Sequence, residues 1–292
     1  MNASGLRRFR AMSTDISVIG PLDEDLDRAA TKVKAIFESE EKRFSRFRSE
    51  SELNHVNRRA GQVTEISPAF EKVLQAALDA ATTADGLFDP TLLPELIAAG
   101  YDRDFPLVRK MSRAPGTPTC VAGRWRDVHL SHGSLRMPRG MALDLGGIAK
   151  GWTADAAAEA TDLSWVLVDA GGDMRLRGLP HEPIPIAIEH PFEGGLPIAH
   201  LELTEGALAT STVTKRSWGP GLHHLIDPRS GLPSKSSVVQ ATTWARTCMA
   251  AEVSAKSAVI GGVDRLGLQP TLAMLDDGQI LSSFERKEAA AA

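Results

Sequence analysis

The segment Ala142-Leu143-Asp144-Leu145-Gly146-Gly147-Ile148-Ala149-Lys150-Gly151 sets an acid in an apolar run, then two adjacent glycines, then a lysine at the opening of a helix. Few architectures suit a strand-to-helix junction of this kind. Without Cβ atoms, Gly146 and Gly147 let backbone approach a ligand closely. A helix from about Ile148 to Ala160 would direct free N–H groups and the positive end of its dipole at the gap. Lys150 adds a full positive charge, so the junction predicts an anion site. A plain tight turn is the other reading of the same glycines.

Around this junction the chain interleaves strands and helices without a regular βαβ rhythm. Phe9 to Gly20 predicts a first strand, and Pro21 to about Phe44 an amphipathic helix with Leu26, Ala29, Ala30, Val33 and Phe37 on one stripe. Ser67-Pro68 opens a second helix, with serine as cap and proline in the first turn, and Asp85-Gly86 stops it. A short helix spans Leu92 to Ala99, and Pro106 to Arg126 reads as a surface excursion. Strands are expected at 165–169, 174–178, 184–189, 200–204, 207–211 and 238–245, then a helix at 249–260 and closing strands near 272–275 and 280–284. The expected class is α+β, with mixed, mainly antiparallel sheets and flanking helices.

A chain of 292 residues, 42% apolar, has ample material for a core. Its net charge of −4, with no basic block, argues against a nucleic-acid surface and leaves room for one anion held by local positive groups. Cys120 and Cys248 lack metal-ligand spacing and read as two free buried thiols in a reducing cytoplasm, with a single disulfide as the alternative. No apolar stretch follows the basic Met1–Arg10 segment, and no window approaches the ~20 apolar residues of a membrane span. A cytoplasmic protein without a membrane span is expected.

Further motifs fall in a fixed order: Met12-Ser13-Thr14, Ser45-Arg46-Phe47 through Ser51-Glu52-Leu53, Phe88-Asp89-Pro90-Thr91, Val168-Asp169-Ala170-Gly171-Gly172-Asp173, and His224-Leu225-Ile226-Asp227-Pro228-Arg229-Ser230-Gly231. Together with the junction they resemble the ApbE family, the FAD:protein FMN transferases, over nearly the whole chain. Asp144 to Asp155 and His224 to Gly231 are the most specific parts. The resemblance implies an ApbE-like, T-fold-related single domain over residues 1–292, divisible into two lobes around a central FAD cleft. It also implies an enzyme that takes FAD as substrate, cuts its pyrophosphate, and moves FMN onto a Ser or Thr hydroxyl of an acceptor protein, releasing AMP. Such phosphoryl transfer needs neutralised phosphates, a placed nucleophile and a base for the hydroxyl proton.

His224 matches the family's histidine before Ile-Asp-Pro and is the expected base, because imidazole titrates near working pH. Capping of backbone carbonyls is its alternative role, and adjacent His223 lies outside the matched pattern. By resemblance, Lys150 and Asp144 contact FAD, as do Asp89, Thr91, Ile226, the Thr210-Ser211 pair and Met12. Phe47 replaces a tyrosine of relatives, keeping the aromatic face and losing the hydroxyl. Each position also has a plain structural reading: an exposed lysine, a capping aspartate, strand hydroxyls, or a methionine filling the core. Asp227 and Pro228 suit the shaping of a turn.

One segment departs from the family. Gly147 matches a glycine whose carbonyl meets magnesium in relatives. The partner segment there has Ala-Asp and, four residues after the aspartate, a threonine; here Glu252 and Lys256 stand at those two positions. Four residues apart they share a helix face and can pair at ~0.2–0.5 kcal/mol if exposed. Facing inward, Glu252 would still suit a hard cation, whereas an ammonium only donates and repels one. Lys256 then takes the cation's place beside FAD, and magnesium-assisted transfer comes into question. A catalytically weak FAD-binding or carrier protein, and an FAD pyrophosphate hydrolase, are the competing functions.

Overall fold

The chain from Ser4 to Ala11 turns back at Met12-Ser13 and returns as Thr14–Pro21, register Ala11 to Thr14. A hairpin therefore replaces the single strand expected over 9–20. Of the two-residue turns that match strand twist, type I′ needs φ above zero at both central positions. Met12 and Ser13 adopt φ 49° and 59°, a conformation neither residue advertises in sequence. The structure, a computed structural model, describes residues 4–108 and 123–284, so Cys120 and most of the 106–126 excursion lie outside the described residues.

This hairpin begins an eight-stranded sheet continued by Trp165–Ala170, Asp173–Gly178, Gly206–Thr212, Val238–Ala245, Thr271–Leu275 and Ile280–Ser282. The strands lie side by side in chain order, every neighbour antiparallel. The helices are α1 (Leu26–Phe44), α2 (Glu52–Arg58), α3 (Pro68–Thr83), α4 (Leu93–Ala98), α5 (Phe105–Val108), α6 (Ala149–Glu159) and α7 (Cys248–Gly261). Both faces of the sheet are covered, which explains the unbroken apolar run at 165–168. Val166, Val168 and Ala170 pack under α1 and α6 with Val33, Phe37 and Ala154. Trp165 and Leu167 face Ile186, Ile188 and Leu203 of the separate hairpin Ile184–Glu189 with Pro197–Leu203.

Local signals set most helix boundaries. Asp25 caps α1 through the Arg28 N–H, and Ser67 caps α3 through the Phe70 N–H. Helix α2 has no counterpart in the expected elements; Ser51 caps it and is itself buried. The 142–145 segment is not a strand. A single bridge joins Ala142 to Leu92, and Asn57 clamps Leu143 with its amide, accepting from the N–H at 2.8 Å and donating to the carbonyl at 2.9 Å. Leu143, Leu145 and Ile148 are fully buried beside Phe70 and Leu74 of α3, and this packing fixes the junction in space.

Helix α6 meets α7 at Gly151, where an added Cβ would stand 2.8 Å from the Cys248 backbone and from Met249 Cα. Gly151→Ala is therefore expected to lower stability by ~1–3 kcal/mol through overpacking, read as an earlier urea midpoint. An unchanged midpoint would show that the helices separate freely.

Candidate functional site

A cleft of about 1160 Å³, its open mouth included, runs between α1, the 86–101 segment and α7. Phe44, Phe47, Phe88, Leu92, Leu96, Tyr101 and Ile226 form its apolar walls. Its inner end carries Lys150, Arg216, His224 and Lys256, which also line an adjoining polar recess of about 530 Å³ with Asp173, Thr210, Ser211 and Glu252. An apolar slot opening onto clustered charge suits a ligand with flat rings and an anionic centre.

The charged centre is a buried chain of alternating sign. Lys150 pairs with Asp173 and lies 3.6 Å from Glu252 Oε1. Glu252, 1% exposed at its side chain, accepts from the Gly151 N–H at 2.9 Å and from Lys256 Nζ at 3.0 Å. Lys256 Nζ also donates to the Gly147 carbonyl at 3.0 Å. The N–H groups expected to greet an external anion thus partly serve an internal one, since a protein carboxylate already occupies the start of α6. Burial lowers the Lys150 pKa, against the pull of Glu252. Burial also works against ionisation of Glu252, but the Lys150 and Lys256 ammoniums outweigh it and hold this carboxyl below its ordinary range.

His224 sits where the apolar and charged parts meet. Its Nδ1 is buried without a hydrogen-bond partner among the described residues. Burial first, then the positive charges of Arg216 and Lys256, push its pKa well below the ordinary histidine value. These influences favour the neutral imidazole, and its Nδ1 has no partner among the described residues. His223 has structural work instead: its ring bonds the Ser234 carbonyl at 3.0 Å and accepts from the Leu225 N–H. Asp227 shapes its turn, accepting from the Arg229 N–H at 2.9 Å.

In the cleft wall Arg46 packs over both Phe47 and Tyr101, its guanidinium carbon 4.4 and 4.3 Å from ring centres that are themselves 5.9 Å apart. It donates to the Tyr101 carbonyl and pairs with Asp144 at 3.0 Å. Asp144 also accepts from the Gly146 N–H, so this acid shapes the glycine turn as well as lining the cleft. Asp89 reaches the cleft while Thr91 does not; Thr91 lies behind it, donating to Asp89 Oδ1 from both N–H and hydroxyl. Met12 lines the cleft from its left-handed turn, its N–H bonded to Glu41. Thr210 pairs with Thr242 through their hydroxyls at 2.8 Å and, with Ser211, lines the recess.

Every other site residue expected from sequence borders one of these two spaces. Arg46, Tyr101, Asp173 and Arg216 went unassigned. Arg46 and Asp173 lie within the motifs at 45–47 and 168–173, whereas Arg216 carries no sequence signal and reaches the site only through its loop. Gly147 and Glu252, the positions assigned to magnesium by resemblance, do not fit a divalent cation, because both oxygens are already engaged by Lys256. Among the described residues no cluster of three or more His, Cys, Asp or Glu has metal-binding geometry, and no helix is long and apolar enough to cross a membrane.

Comparison with known proteins gives the same fold. The ApbE protein of Thermotoga maritima superposes with a TM-score of 0.87 at 23% identity, covering 96% of this chain and 97% of that one. The flavin transferase ApbE of Vibrio cholerae does so at 0.79 and 22%, with the same coverage. In sequence the chain is 29% identical over 246 residues to an FAD:protein FMN transferase of Rhodobacter capsulatus, covering 78% of this chain and 46% of that longer protein. It is 26% identical over 247 residues to the FAD:protein FMN transferase of Vibrio cholerae serotype O1, covering 80% and 74%. The sequence pattern of the ApbE family matches residues 12–273, nearly the whole described chain, and on that match the protein belongs to the ApbE family.

Proposed function

We propose that this protein binds FAD and transfers its FMN moiety to a Ser or Thr hydroxyl of an acceptor protein, releasing AMP. One observation carries the reading: His224, its buried Nδ1 without a hydrogen-bond partner among the described residues, borders both the apolar cleft and the recess that hold three cations, Lys150, Arg216 and Lys256. The names of the curated relatives support it. The acceptor oxygen attacks the FMN phosphorus, the bond from that phosphorus to the bridging oxygen breaks, and AMP leaves with that oxygen. The hydroxyl proton passes to the His224 imidazole. The three cations offset charge on the phosphates as it shifts toward the leaving group. Arg46, packed over both Phe47 and Tyr101, stiffens that wall of the cleft.

The proposal takes residues 1–292 as one domain, because the cleft draws walls from Met12 at one end of the chain and Ile260 at the other. Placement in the cytoplasm is supported by Cys248, a buried thiol with no disulfide partner among the described residues and so suited to a reducing compartment. The test is mass spectrometry of an acceptor carrying a reactive Ser or Thr after incubation with FAD, alongside assay of AMP. Acceptor mass increased by one FMN less one water, with AMP in equal amount, is expected. Acceptor-independent AMP release would assign a hydrolase, and tight FAD without AMP a carrier.

A further inference from the structure

We propose that the Lys256 ammonium is the resident cation of this site, so that the protein takes a pyrophosphate ester there without a divalent metal. The inference deepens the reading above and rests on it for the identity of the ligand. Lys256 Nζ donates to the Gly147 carbonyl and to Glu252 Oε1, both at 3.0 Å. Those are hard oxygen donors of the kind magnesium takes, and each already accepts an N–H. Glu252 cannot swing away to serve a metal, because its other oxygen is fastened to the Gly151 N–H at 2.9 Å and its side chain is buried.

The lysine stem is wedged as well. A Cβ at Gly147 would stand 3.1 Å from Lys256 Cε and 3.1 Å from the Phe88 ring, so the glycine leaves just the room the stem uses. Lys150 adds a second ammonium 3.6 Å from the same Glu252 oxygen. A dication entering there would meet two positive groups and find one carboxylate already shared between them. An ammonium has three N–H donors, and two are accounted for. The third remains for a phosphate oxygen, at a position bordering both the cleft and the recess.

Manganese, followed by its electron paramagnetic resonance signal, probes the metal directly in the protein without FAD, and fluorescence titration of FAD in chelator or in magnesium probes the ligand. The unmodified protein is expected to leave manganese free and to bind FAD equally under both conditions. Lys256→Thr should gain a manganese site and make FAD affinity magnesium-dependent. Lys256→Met keeps the stem and removes the charge; it should weaken FAD at least about tenfold, the scale of one charged hydrogen bond, with no recovery in magnesium. Stoichiometric manganese on the unmodified protein that disappears in Glu252→Gln would overturn the inference. So would FAD affinity that rises tenfold or more with magnesium in the unmodified protein. Absence of FAD binding under both conditions, with manganese taken up by Lys256→Thr alone, would sink the FAD reading and leave the lysine's role standing.

Discussion

Replacing His224 with alanine is expected to slow FMN transfer by about 10²–10⁴-fold while FAD stays bound, because a positioned base acts on the transition state and contributes little to ground-state binding. The site supplies the conditions for that role. Burial and the neighbouring charges of Arg216, Lys256 and Lys150 hold the imidazole neutral well below its ordinary titration point, so the base form persists into mildly acidic solution. The acidic limb of kcat/KM should accordingly fall below pH ~6.5, the unperturbed histidine value. Bound pyrophosphate would offset the same cations, so the limb in kcat should lie higher than the limb in kcat/KM.

Stability carries the same sign. A histidine whose folded pKa is depressed leaves the unfolded state holding more protons below pH ~6.5, so stability falls as the solution is acidified through that value. His224→Ala should lose part of that acid sensitivity. Turnover unchanged in the variant, together with an acidic limb above pH ~6.5, would return His224 to a structural role.

Glu252→Ala should lower stability by ~3–5 kcal/mol, the cost of leaving buried charges without their partner. Glu252 lies between Lys150 and Lys256, accepts from the Gly151 N–H, and is 1% exposed, so although Lys150 keeps Asp173 and Lys256 the Gly147 carbonyl, the carboxylate those two ammoniums share is lost. Its removal brings two ammoniums face to face and frees a helix-start N–H in a dry setting. Glu252→Gln retains an oxygen acceptor and should cost less. Because the two ammoniums hold the Glu252 pKa below its unfolded value, the stabilisation is full above pH ~4.3 and is lost as pH falls through the depressed folded value. Urea unfolding at neutral pH measures the effect, and a change under ~1 kcal/mol would show that solvent reaches the pair.

Short-range order was legible from the residues alone. The α1 stripe of Leu26, Ala29, Ala30, Val33 and Phe37 is buried as its period requires, and the Ser67-Pro68 start of α3 lies where capping chemistry puts it. Both signals act within a few residues, so neighbours in sequence suffice to determine them. The two-residue turn at Met12-Ser13 was hidden, because left-handed backbone at non-glycine residues is imposed by strand pairing on either side and not by side-chain preference. Thr91 likewise matched a motif, yet it serves Asp89 from behind the wall and does not face the cleft.

The site divides along the same line. Residue types came from the sequence: a histidine in its motif, a lysine after two glycines, and a glutamate and lysine one helical turn apart. Their union is tertiary. Lys256 meets the Gly147 carbonyl across 109 residues, and Gly151 meets Glu252 across 101. The sequence by itself determined that an ammonium stood where a hydroxyl was expected. Only the packing of α6 against α7, which brings those distant groups within 3.0 Å, decided that it points inward, onto the Gly147 carbonyl and Glu252.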